Sequence, residues 1–201
     1  DIFKSGRDVH QEVAAQVFRV EPEKVDAEMR RRAKVINFGI LYGMGVNALR
    51  AQLGSTTAEA HQFLDDYFST FKILSEYLES TRGFARKHGY TETLFGRRRQ
   101  FPEMKSSLPY VRAQAERMAI NAPIQGTQAD IIKLAMVRVD DMLKKEEAQT
   151  DAYLFLQVHD ELVYEIRNER VGMLGAKIKN IMESVLPTKE TRGVPIIATM
   201  K

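Results

Sequence analysis

Apolar residues recur at helical spacing through most of the first 90 positions of the chain. Val9, Val13, Ala14, Val17 and Phe18 form such a stripe, and Asp8 stands before it as a helix N-cap. The same spacing continues, broken by glycines and by Ser-Thr-Thr at 55–57. These patterns predict five helices, at 8–19, 26–42, 46–53, 58–71 and 73–88.

Strand-like runs replace the helical pattern at two later places. Residues 90–94 and 97–101 flank Gly96 and predict a small hairpin, and 153–158 with 162–166 predict a second hairpin. Between them we expect a helix at 110–121, an interruption at Pro123, and a long helix capped by Thr127 that runs to about 147. A helix at 170–186 and a strand at 194–200 close the chain. The fold class predicted is α+β and mostly helical.

Composition narrows the class of protein without deciding its function. Hydrophobic residues make up 44% and charged residues 28%, which is typical of a soluble globular protein. The net charge of +3 is weak support for a nucleic-acid partner, although arginines cluster at 30–32 and 97–99. The absence of cysteine excludes disulfides and thiolate chemistry. No apolar run approaches the roughly 20 residues of a membrane span, and we expect a cytoplasmic protein.

Arg30, Lys34, Phe38 and Tyr42 are spaced four apart and therefore lie on one side of the predicted helix at 26–42. Two cations followed by two aromatic rings would suit a nucleoside triphosphate, with the cations on the phosphates and the rings near the sugar and base. The alternative is a solvated basic first turn on a buried helix. Spacing alone favours neither interpretation.

Asp160 and Glu161 lie between the two strand-like runs of the second hairpin. A tight turn lifts short side chains away from a sheet, and adjacent carboxylates repel unless a cation is present. Both are hard oxygen ligands that suit Mg²⁺. The alternative is an ordinary polar turn, in which aspartate is common.

The order of these residues resembles two motifs of the family A DNA polymerases. The pattern R-x-x-x-K-x-x-x-F-x-x-x-Y-G, from Arg30 to Gly43, resembles motif B, and the strand–His159-Asp160-Glu161–strand stretch resembles motif C. The two motifs stand in the family's order, about 120 residues apart. The resemblance implies a fingers subdomain at 1–108, with its nucleotide-binding helix at 26–43. It also implies the C-terminal part of a palm at 109–201, with a catalytic hairpin at 153–166.

The resemblance also implies roles at the nucleotide. Arg30 and Lys34 would hold the triphosphate, and Lys34 would protonate the leaving pyrophosphate. Phe38 would pack on the incoming sugar, and Tyr42 would guard the base-pair pocket. His10, in a segment similar to the family's G-x-D-[IV]-H, would reach the phosphates.

Further residues are implied to contact DNA. Residues 115–130 resemble the family's A-E-R-x-x-x-N-x-P-x-Q-G stretch, in which Arg117, Asn121 and Gln125 would touch primer and template. Gln157 and His159, beside the motif C carboxylates, are assigned to DNA as well. The alternative for the first three is a polar helix face with an N-cap.

The resemblance implies a metal site that this sequence supplies only in part. Two Mg²⁺ ions are expected, with Asp160 as a shared ligand supported by Glu161. The family's other aspartate, in motif A, is expected upstream of residue 1. We therefore expect a fragment of a longer, monomeric DNA polymerase that acts on primer-template DNA and dNTPs, and that does not polymerise as the isolated chain.

Three other functions remain open at this point. The chain could be a non-catalytic DNA-binding or degenerate homologue, or a Mg²⁺-dependent phosphohydrolase. It could also come from a single-subunit RNA polymerase, for which tyrosine rather than Phe38 would be expected.

Overall fold

The computed structural model describes residues 4–201, and five helices fill its first part. They are α1 (Val9–Phe18), α2 (Ala27–Leu41), α3 (Val46–Leu53), α4 (Thr57–Thr70) and α5 (Lys72–His88). Each predicted helix is confirmed, with ends that differ by at most one residue. Side chains cap the starts of some of these helices. Asp8 accepts from two backbone N–H groups at the start of α1, and Thr56 and Glu59 form a reciprocal capping box on α4.

The core of this first part lies among α1 to α4. Val13 and Ala14 of α1 pack with Ala33, Ile36 and Ile40 of α2, and all five side chains are buried. Leu49, Ala60 and Tyr67 of the next two helices complete the cluster. One side of α2 is therefore fixed in the core, which leaves its other side to face outward.

The first hairpin is shorter than the prediction. Strands β1 (Tyr90–Glu92) and β2 (Arg98–Gln100) pair antiparallel. Phe101 follows β2 and is 1% exposed, in a small cluster with Ala85 of α5 and with Ala119 and Ala122 of the next helix.

The sixth helix corrects one prediction. Helix α6 (Pro109–Lys145) is continuous over 37 residues and contains Pro123, so the expected interruption and the Thr127 cap are wrong. A proline inside a helix removes one N–H donor and crowds the preceding turn. Here Ala119 and Ala122, just before it, are buried against Phe101, and this packing holds the helix through the proline.

The second part of the chain builds a separate core around the other hairpin. Strands β3 (Ala152–Val158) and β4 (Glu161–Ile166) pair antiparallel, and helix α7 (Val171–Glu183) follows. Val139 and Leu143 of α6, Ala152 of β3, and Leu174 and Ile178 of α7 form its buried cluster. The predicted hairpin is thus confirmed, while α7 is shorter than the helix predicted at 170–186.

The predicted strand at 194–200 is wrong, because these residues are assigned to no strand. A strand needs a paired neighbour, and this segment instead makes side-chain contacts with α7. The backbone N–H of Ala198 donates to Oε1 of Glu183 at 3.0 Å. A Cβ built on Gly175 would lie 3.0 Å from Sδ of Met200.

By packing, the chain forms two compact units, at 1–124 and 125–201. The boundary falls within α6, whereas the sequence predicted fingers and palm subdomains that meet at 108/109. Packing units and functional subdomains are different divisions, so the subdomain boundary stays a prediction. Among residues 4–201, no helix is long and apolar enough to cross a membrane.

Candidate functional site

The predicted stripe of cations and rings lies on the outward side of α2. Arg30, Lys34, Phe38 and Tyr42 are all exposed, with Tyr42 as the C-cap of the helix. Ala33, Ile36, Asn37 and Ile40 are buried on the other side. The stripe is a solvent-facing surface above a packed core, and Val35 beside it is exposed as well.

The rings of this stripe contact one another and a histidine of α1. The centroids of Phe38 and Tyr42 are 6.0 Å apart with an interplanar angle of 18°, and the His10 ring lies 5.4 Å from that of Phe38. Nζ of Lys34 lies 5.9 Å from the Phe38 centroid, within the range of a cation–π contact. The structure thus brings together the predicted residues His10, Lys34, Phe38 and Tyr42.

The fifth predicted nucleotide-binding residue, Arg30, is held by Asp8. Nε of Arg30 donates to Oδ2 of Asp8 at 2.7 Å, while Oδ1 of Asp8 accepts from the backbone N–H of His10 at 2.8 Å. Burial acts to raise the pKa of Asp8, but the hydrogen bonds from Arg30, His10 and Gln11 outweigh it and lower that pKa. The carboxylate therefore ties the start of α1 to the basic end of the stripe.

The residues predicted to contact DNA on α6 have different surroundings. Arg117 lies beside the end of α2, since a Cβ built on Gly43 would be 2.6 Å from its Cγ. Gly43 has φ of +78°, a conformation that favours glycine. Asn121 is half-buried, and its Oδ1 is buried without a hydrogen-bond partner among residues 4–201. Gln125 is exposed and begins the second unit.

The second hairpin places its carboxylates at an exposed tip. Val158 pairs with Glu161, so His159 and Asp160 form a two-residue turn. His159 has φ of +51°, and its carbonyl accepts from Nε2 of Gln157 at 3.3 Å. Asp160 and Glu161 are both exposed, as the sequence predicted for side chains lifted away from the sheet.

These carboxylates fit part of a Mg²⁺ site. Their oxygens are the ligands that Mg²⁺ prefers. Within residues 4–201, however, no group of three or more His, Cys, Asp or Glu side chains is placed to hold a metal ion. Oε1 of Glu161 already accepts from Nζ of Lys201 at 2.7 Å, and this hydrogen bond raises the pKa of Lys201. The described residues therefore offer two carboxylates at this tip and no larger cluster of metal-binding side chains.

Comparison with known proteins identifies the family. The sequence profile of DNA polymerase family A matches residues 1–201, the whole chain. The chain belongs to DNA polymerase family A.

Individual relatives agree with this assignment. The thermostable DNA polymerase I of Thermus filiformis is 45% identical over 186 residues, which cover 92% of this chain and 22% of that protein. DNA polymerase I of Pseudomonas aeruginosa is 45% identical over 197 residues, covering 98% of this chain and 21% of that protein. This family A chain thus spans about a fifth of the length of these relatives.

A solved structure agrees with the fold. The POL domain of Pol1 from M. smegmatis, in complex with DNA primer-template and dNTP, aligns with a TM-score of 0.87 and 41% identity. The alignment covers 96% of this chain and 33% of that one. The α+β polymerase fold predicted from the sequence is confirmed.

Sequence reasoning missed the buried hydrogen bond that Tyr67 makes to Asn37 of α2. Tyr67 lies in the core, and its hydroxyl donates to Oδ1 of Asn37. Nδ2 of Asn37 in turn lies 3.4 Å from Nδ1 of His10. The only signal in the sequence was a polar residue on the apolar side of a predicted helix.

Proposed function

We propose that this chain is the part of a template-directed DNA polymerase that binds the incoming dNTP and supplies one aspartate of the metal site. The observation that carries the proposal is the exposed stripe on α2, in which Lys34, Phe38 and Tyr42 adjoin one another and His10 packs on Phe38. The solved M. smegmatis relative, by its description, binds primer-template DNA and dNTP, which supports the same ligands for this chain.

In this proposal the residues of α2 bind and orient the triphosphate. Lys34 and Arg30 neutralise the phosphate oxygens, and the Phe38 ring packs on the deoxyribose. Tyr42, at the end of the stripe, lines the pocket of the new base pair. Holding the reacting groups in one geometry supplies a large share of the rate enhancement.

The reaction is nucleotidyl transfer. The primer 3′-oxygen forms a bond to the α-phosphorus, the bond from that phosphorus to the pyrophosphate oxygen breaks, and the 3′-hydroxyl proton passes to water. The Lys34 ammonium is the donor that protonates the departing pyrophosphate. Two Mg²⁺ ions, when bound, would supply the positive charge that activates the attacking oxygen and stabilises the leaving one. Asp160 and Glu161 would be two of the ligands that hold these ions.

DNA contacts complete the proposal. Arg117, Asn121 and Gln125 on α6 hold primer and template, with Gln157 and His159 beside the hairpin carboxylates. Neutral donors such as asparagine and glutamine suit the minor groove, whose N3 and O2 acceptors vary little with sequence.

The test is single-nucleotide incorporation on a primer-template by the full-length protein that carries this chain. Lys34→Ala is expected to slow incorporation by roughly 10²–10⁴-fold, the size of a lost acid and phosphate contact. Asp160→Asn is expected to abolish it, while DNA binding at the same salt concentration is retained. Asp141→Asn, an exposed aspartate of α6, is the matched control and should incorporate normally.

The outcome also separates polymerase from a non-catalytic DNA-binding homologue. A DNA-holding protein would bind duplex in a salt-dependent manner with no tightening by a matched dNTP. Unchanged incorporation in both Lys34→Ala and Asp160→Asn would overturn the proposed mechanism.

A further inference from the structure

A buried hydrogen bond links the centre of the helical core to the nucleotide-binding helix. Tyr67 of α4 is 3% exposed and Asn37 of α2 is 6% exposed. The Tyr67 hydroxyl donates to Oδ1 of Asn37, and burial raises the pKa of Tyr67 to about 12, so the hydroxyl keeps its proton at neutral pH. Because Oδ1 of Asn37 accepts from this hydroxyl, the NH₂ group of the amide is directed away from Tyr67.

The fixed amide then determines what faces His10. With Oδ1 bound to Tyr67, the NH₂ group of Asn37 points to Nδ1 of His10, 3.4 Å away. An NH₂ group only donates, so Nδ1 must be the unprotonated, accepting nitrogen. In a neutral imidazole the proton then lies on Nε2.

The charges around His10 are compatible with a neutral ring. Burial lowers its pKa, as do the nearby cations Arg30 and Lys34, and together they outweigh the opposing effect of Asp8. The Phe38 ring, 5.4 Å away between centroids, also restrains the plane of the imidazole. Both the orientation and the protonation state of His10 are thus set by its neighbours.

We infer that Tyr67 and Asn37 are positioning residues of the nucleotide site, which hold His10 as the neutral Nε2–H tautomer so that it offers an N–H donor to a phosphate oxygen of the incoming nucleotide. The inference rests on the proposed function, in which His10 reaches the phosphates. Tyr67 and Asn37 do not touch the nucleotide in this arrangement and act only through His10.

The first experiment reads the tautomer directly. In full-length protein labelled with ¹⁵N-histidine, His10 is expected to show a protonated Nε2 and an unprotonated Nδ1, with the signal assigned by its loss in His10→Gln. Tyr67→Phe, which removes only the hydroxyl, should give a mixture of both tautomers. Tyr77→Phe, a half-buried tyrosine of α5, is the matched control and should leave His10 unchanged.

A second variant guards against a folding defect in Tyr67→Phe. Asn37→Asp keeps the shape of the side chain but can only accept toward His10, so it should move the proton to Nδ1. A proton on Nδ1 in the unmodified protein, or an unchanged tautomer in both Tyr67→Phe and Asn37→Asp, would overturn the inference.

Kinetics then test the positioning role. Tyr67→Phe is expected to raise KM for dNTP roughly three- to tenfold, the size of one weakened hydrogen bond, with kcat nearly unchanged. Tyr77→Phe should change neither constant. A shifted tautomer with an unchanged KM would overturn the positioning role, whereas normal incorporation by Lys34→Ala would show instead that the proposed function has failed.

Discussion

Arg30 and Asp8, 22 positions apart, form a two-point contact in which Nε and a terminal nitrogen of the guanidinium reach one carboxylate oxygen at 2.7 and 2.5 Å. The same carboxylate caps α1. Because Asp8 already restrains Arg30, the phosphate contact that we propose for Arg30 would cost less side-chain entropy.

The first prediction concerns the pH dependence of this contact. Asp8→Asn retains a capping oxygen but loses the charge, and we expect the free energy of unfolding at pH 7 to fall by at most about 1 kcal/mol, since both side chains are partly exposed. The pKa of Asp8 lies below its ordinary value of 3.8 in the folded protein. Its contribution is therefore complete above the unfolded pKa and is lost as the pH falls through the folded pKa.

Urea unfolding of Asp8→Asn and of the unmodified chain at pH 7, 5 and 3 measures this change in unfolding free energy. The difference between Asp8→Asn and the unmodified chain should shrink toward pH 3. Glu28→Gln, which breaks an exposed pair with Arg31 on the same helix, is the control and should have the smaller effect at pH 7. A difference that grows on acidification would contradict the assignment.

The second prediction uses two glycines with the same backbone angle. Gly43 and Gly96 both have φ of +78°, but only at Gly43 would a Cβ meet another side chain, Cγ of Arg117 at 2.6 Å. Gly96→Ala should cost about 1–2 kcal/mol of unfolding free energy from backbone strain alone. Gly43→Ala should cost a further 1–3 kcal/mol or so from overpacking.

A double-mutant cycle checks the cause of that excess. In an Arg117→Ala background the excess cost of Gly43→Ala should disappear, because the clashing atoms are gone. Equal costs at the two glycines in the unmodified background would show that Arg117 does not lie against the end of α2.

The third prediction concerns the support of α6. Phe101 is buried against Ala119 and Ala122, which flank Asn121 on that helix. Phe101→Ala should lower the free energy of unfolding by about 3–5 kcal/mol, as expected for a large buried ring. Phe95→Ala, at an exposed phenylalanine of the same hairpin, should cost far less. Thermal or urea unfolding of the two variants measures the comparison, and equal losses would contradict the described core.

The sequence correctly predicted the helices and the hairpin that are specified by residues close together in the chain. The helix ends at Asp8, Asp26 and Thr56 follow from capping residues within one turn, and the hairpin at 152–166 follows from two strand-like runs around a polar turn. The stripe on α2 could be predicted from the four-residue spacing of its side chains alone. These features depend on neighbours a few positions away, which a sequence displays directly.

The wrong predictions concern features that depend on packing between residues far apart in the sequence. Pro123 predicts a break, but burial of Ala119 and Ala122 against Phe101 keeps α6 intact. Residues 194–200 have strand-like composition, yet pairing depends on a neighbour that no local pattern reveals. The bond between Tyr67 and Asn37 joins positions 30 apart, so neither residue indicated the other.

The left-handed backbone at His159 restricts which amino acids can stand between the two strands, whatever chemistry the turn performs. Asparagine, aspartate, histidine and glycine adopt this conformation most easily, whereas β-branched residues resist it. In a library of substitutions at this position, the backbone conformation alone would therefore exclude valine and isoleucine. Their loss would carry no information about DNA binding. Only the comparison among residues that tolerate the turn, such as His159→Asn, reports on what the imidazole itself contributes.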